Sequence, residues 1–121
     1  MPQARRRQTR TMKGTRTAKT EVDELVRSIV SAYQPEKVIL FGSYVYGEPD
    51  NDSDVDLLVV KRTDETPFQR RVTLRRVVSD PARSIPYHAL VVTPEELSER
   101  LEYGDAFLRE VVEEGDVVYA S

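Results

Sequence analysis

Asp54 and Asp56 stand at i and i+2, where an apolar run, Leu57-Leu58-Val59-Val60, begins. On a strand this spacing turns both carboxylates to one face. There they can share a divalent cation such as Mg²⁺ or Mn²⁺, which prefers hard oxygen ligands. Upstream, Gly42-Ser43 follows a second apolar run, Val38-Ile39-Leu40-Phe41. Such a turn can offer backbone N–H groups to a phosphate, the more so where a helix starts. Taken singly, these are an ordinary turn and two water-facing acids at a strand start. Taken together, a turn for phosphate and a carboxylate pair for its metal predict chemistry on a nucleoside triphosphate. Glu48, Asp50 and Asp52 crowd the same stretch, a repulsion that a bound cation would relieve.

The elements that must position these residues can be read from periodicity and punctuation. Thr20 is expected to cap a helix, with Asp23 as its capping-box acid. Val22, Leu25, Val26, Ile29, Val30 and Tyr33 then recur at helical spacing, and Pro35 ends the run. Residues 37–41 are expected to be a strand buried on both faces. A short helical turn follows over 44–47, then a polar loop over 48–53 and a second strand over 54–60. The short connection lets these two strands pair antiparallel. Residues 68–78 suit a helix with Val72, Leu74, Val77 and Val78 as its apolar positions. On it, Arg70, Arg71, Arg75 and Arg76 are read as a solvated face pairing with nearby acids. After a loop over 79–86 comes a third strand, 87–92. Thr93 and Glu96 form a capping box around Pro94, and Gly104 ends that helix. Asp105 caps a last helix that stops at Gly115, and residues 116–120 form a final strand. This order predicts an α/β fold with a mixed β-sheet packed with helices.

The 121 residues suit one domain. With no cysteine, disulfides and thiolate metal sites are excluded. No apolar run approaches the roughly 18 residues of a membrane span, so no membrane association and a cytoplasmic location are expected. Residues 1–19 carry seven basic residues, no acid and almost no large apolar side chain. They read as a disordered basic arm preceding a domain over 20–121. Two readings stay open for the arm: a solvated extension, or a segment that binds nucleic acid through its phosphates. Removing those seven charges from the net -3 leaves residues 21–121 at about -10. The domain itself is therefore a poor general binder of nucleic acid.

The pattern Gly42-Ser43, ten residues, Asp54-Val55-Asp56 resembles the signature of the DNA polymerase beta-like nucleotidyltransferases, and in size the minimal nucleotidyltransferases of prokaryotes. Gly47, Ser53, the Thr93-Pro94-Glu95-Glu96-Leu97 stretch and the ending Phe107-Leu108-Arg109-Glu110…Glu114-Gly115…Tyr119 are similar too. The resemblance implies the small nucleotidyltransferase fold and ATP or another nucleoside triphosphate as substrate. It implies that Asp54 and Asp56 bind the metal and that Gly42 and Ser43 hold the β and γ phosphates. A hydroxyl of the acceptor would attack the α-phosphorus and displace pyrophosphate. The family's third carboxylate falls on the third strand, where alignment through Thr93-Pro94 places His88. Histidine can serve as a base near neutral pH but is a poorer Mg²⁺ ligand than a carboxylate. His88 is thus a substitute base and ligand, a mark of weakened catalysis, or an ordinary strand residue. So short a chain is expected to take its acceptor from a partner. The resemblance implies a small all-helical HEPN toxin, with this chain as the antitoxin that adenylylates it. The alternative is a catalytically weak module that acts on its partner by contact.

Overall fold

Val38, Ile39 and Leu40 offer no polar side chain to either face of a strand, and β1 (Lys37–Phe41) accordingly lies inside the sheet with all three buried. The computed structural model describes residues 18–46, 54–78 and 85–121. Most of the expected basic arm, the loop expected over 48–53 and residues 79–84 of the loop expected over 79–86 lie outside the described residues. Around β1 the elements are α1 (Ala18–Tyr33), α2 (Ser43–Tyr46), β2 (Val55–Val60), α3 (Pro67–Val78), β3 (Tyr87–Val92), α4 (Pro94–Glu102), α5 (Ala106–Glu114) and β4 (Asp116–Ala120). The sheet order is β3-β2-β1-β4. β1 runs antiparallel to both β2 and β4, whereas β2 and β3 are parallel. The sheet is therefore mixed, as the sequence predicts.

Side-chain alternation sorts the strands into two cores. Val38, Leu40, Val55, Leu57, Val59 and Val91 pack with Val22, Leu25, Val26, Ile29 and Tyr33 of α1 and with Leu74 and Val78 of α3. Ile39, Leu58, Val60 and Val92 face the other way, onto Leu108 and Val111 of α5, with Leu97 and Leu101 of α4 alongside. Helices thus cover both faces. Gly115 ends α5 hard against β1: a Cβ there would stand 2.6 Å from the Ile39 Cγ2. No helix among the described residues is long and apolar enough to cross a membrane.

The local structure differs from the sequence expectations in α1 and α3. α1 begins at Ala18, so Thr20 lies within its first turn rather than before it; Ala18 and Lys19 are strong helix formers. α3 begins at Pro67 because Thr66 caps it: the Thr66 hydroxyl accepts from Gln69 N–H (3.2 Å) and the Gln69 side chain accepts from Thr66 N–H (2.9 Å). That start sets the inward stripe of α3 at Arg70, Leu74 and Val78, while Val72 turns to solvent.

Arg70 is consequently not on a solvated face; it is 4% exposed. Its guanidinium donates to both Glu96 oxygens (2.8 and 2.9 Å), to the Glu65 carbonyl (2.9 Å) and to the Val91 carbonyl (3.2 Å). Glu96 also accepts from Thr93 N–H, completing the capping box of α4 (3.1 Å). One buried cation therefore joins α3, the edge of β3 and the start of α4.

Candidate active site

Where β1 ends, Gly42 takes φ +83°, a backbone state that glycine enters freely and other residues seldom do. α2 starts at the next residue, and Val45 N–H donates to the Gly42 carbonyl (2.9 Å) to close the turn. The antiparallel register sets Phe41 opposite Asp56, which brings the Asp56 carboxylate over Gly42. A Cβ at residue 42 would collide with Asp56 Oδ2 and stand 3.1 Å from its Cγ. The bare turn and the carboxylate thus share one place.

On the far side of β2, the parallel register sets His88 beside Asp56. His88 Nε2–H donates to Asp54 Oδ2 at 2.6 Å. The candidates fall across three neighbouring strands: Gly42 just past β1 and Ser43 at the start of α2, Asp54 just before β2 and Asp56 on it, His88 on β3. Phe41 closes one flank by an edge-on contact with Phe107, ring centroids 5.5 Å apart.

Burial pushes the Asp56 carboxyl above its usual range; the nearby His88 opposes this and the Asp54 charge adds to it. A half-buried carboxyl whose charge is disfavoured by burial and by a neighbouring carboxylate is what a divalent cation relieves. Asp54 and Asp56 are the residues here that could hold a hard cation. Among the described residues no group of three or more His, Cys, Asp and Glu side chains is set for a metal ion.

A cleft of about 530 Å³ opens beside His88. Its walls include Leu74, Ile85 and Tyr87, and α3 contributes Arg71 and Arg75. Neither arginine is in an ion pair among the described residues, in contrast to the pairing expected for that face. Their i, i+4 spacing marks one helix face, but what that face overlooks depends on where β3 lies.

Residues 22–119 match the nucleotidyltransferase domain family, and the chain belongs to it. Over 100 residues it is 31% identical to a Methanocaldococcus jannaschii protein whose name provisionally assigns it to the protein adenylyltransferases; the match covers 81% of this chain and 94% of that one. A Sulfolobus solfataricus protein, provisionally named a nucleotidyltransferase and solved at 1.40 Å, shares the fold with a TM-score of 0.56 at 19% identity, covering 83% of this chain and 78% of its own.

Proposed function

We propose that this protein is a divalent-metal-dependent nucleotidyltransferase that moves AMP from ATP to a hydroxyl of a partner protein. The observation that carries the reading is the convergence of the Gly42 turn, the Asp54/Asp56 pair and His88 at adjoining positions of three strands. Asp54 and Asp56 would hold Mg²⁺ or Mn²⁺, which when bound neutralises charge on the triphosphate. The Gly42 and Ser43 N–H groups and the Ser43 hydroxyl would hold the β and γ phosphates. The acceptor oxygen bonds to the α-phosphorus as the bond to the bridging oxygen of the departing pyrophosphate breaks. Asp54 fixes the His88 ring through Nε2–H, so in the neutral ring the accepting nitrogen is Nδ1. The proton of the acceptor hydroxyl would pass to it.

The name of the M. jannaschii relative favours a protein acceptor, and the family resemblance points to a HEPN-type toxin with this chain as antitoxin. A second reading is a contact-acting module with weak catalysis. It is favoured by His88, an imidazole at the place of the family's third carboxylate. Labelled ATP, Mg²⁺ and a HEPN-type partner separate the two. If His88 is the base, wild type labels the partner, His88→Ala abolishes transfer and His88→Asp retains it. A stable complex with no labelling by wild type or His88→Ala selects the contact module. Full transfer by His88→Ala removes His88 from both accounts.

A further inference from the structure

We infer that the cleft between His88 and α3 receives an extended acidic segment of the protein acceptor, read by Arg71 and Arg75. The inference rests on the nucleotidyltransferase reading of the site and specifies its acceptor. Phosphoryl-type displacement places the attacking and leaving oxygens roughly in line. The phosphate turn lies on the β1 side of Asp56, so pyrophosphate leaves on that side and the attacking hydroxyl arrives on the β3 side. The 530 Å³ cleft begins there, at His88, and runs to Arg71 and Arg75 on α3.

Two features of that cleft define its occupant. Among the described residues β3 is an edge strand, pairing only with β2. The Pro86 and Val92 carbonyls accept from Val55 and Lys61 of the β2 side, so the alternate residues 87, 89 and 91 turn their backbone groups outward. Arg70 occupies the Val91 carbonyl, which leaves Ala89 as a backbone position where an extended peptide can add a strand. Arg71 and Arg75, one turn apart and exposed, supply two positive charges to the wall of that cleft. They select carboxylates near the acceptor hydroxyl. A peptide fits better than a nucleic acid because the outward backbone groups of β3 can be paired by another peptide backbone and not by a sugar-phosphate chain.

The test uses the full chain and fluorescent nonapeptides with a central tyrosine, flanked either by Asp and Glu or by Asn and Gln, with an RNA oligonucleotide as a third probe. Binding of a non-hydrolysable ATP analogue with Mg²⁺ is measured in parallel on wild type, Asp54→Asn and Arg71→Gln/Arg75→Gln. The expected result is binding of the acidic over the neutral peptide by wild type. The double arginine variant, with an unchanged melting curve, should weaken acidic-peptide binding roughly tenfold and erase the preference. Its nucleotide binding should be unchanged. No preference in wild type, a preference that survives in the double variant, or arginine-dependent binding of RNA in place of peptide overturns the inference. Nucleotide binding indifferent to Asp54→Asn would instead overturn the underlying reading, whatever the peptides do.

Discussion

Replacing the Gly42 hydrogen with a methyl group would drive it into the Asp56 carboxylate and force a strained φ on the new residue. Gly42→Ala should therefore lose roughly 1–2 kcal/mol of stability. A melting-temperature fall of roughly 4–8 °C would follow, and metal-dependent nucleotide binding should weaken with it. Asp56 predicts the opposite balance. Burial and the Asp54 charge disfavour its ionised form, so Asp56→Asn should melt no lower than wild type at neutral pH without metal. Mg²⁺ with nucleotide should raise the melting temperature of wild type, by linkage, and leave that of the variant unmoved. These residues were visible in the sequence because strand geometry is local: i, i+2 spacing on one strand, and a turn at the end of the strand before it. The closeness of His88 to Asp54 followed only from aligning the third strand on Thr93-Pro94. Arg71 and Arg75 could not be placed beside His88, because no local pattern states which strand lies at the sheet edge or which helix flanks it.

Elements were legible where apolar spacing and caps agree, as in α4, where Thr93, Pro94 and Glu96 mark the start. α3 shows the limit. Four arginines in its sequence argue for a wet face, and only the Thr66–Gln69 cap and the tertiary position of Glu96 turn Arg70 inward. The Arg70 hydrogen bonds hold the Glu96 carboxyl below its ordinary value of 4.5; burial works against them and the Thr93 N–H assists. A carboxyl depressed in the folded state contributes stability that is complete above its unfolded value and lost as pH falls through the folded one. The gap in melting temperature between wild type and Glu96→Gln should therefore be widest at neutral pH and shrink below about pH 4.5. Arg70→Met, which leaves the Val91 and Glu65 carbonyls and Glu96 without their donor, should cost on the order of 2 kcal/mol by thermal or denaturant unfolding.

Across the whole molecule, the connections are uneven in reach. The β1–β2 pair is nearly local, with Phe41 facing Asp56, whereas the β1–β4 pair joins Lys37 to Ala120. β4 is also thinly covered, Val117 being 49% exposed. Amides of β4 should exchange with deuterium faster than those of β1 facing β2, as the first part of the sheet to open; equal protection in both would count against this ordering.

The position of β4 also bears on how the protein is made. β1, an apolar strand between two neighbours, can find one of them as soon as β2 has emerged from the ribosome, but its other edge has to wait for residues 116–120. Until then Val38, Ile39 and Leu40 present an open row of backbone donors and acceptors, the kind of edge through which chains join one another. Truncations that end before Asp116 should accordingly be recovered as aggregates even when α1, α3 and the first three strands are intact, and late synthesis is the stage at which this chain has most need of a chaperone.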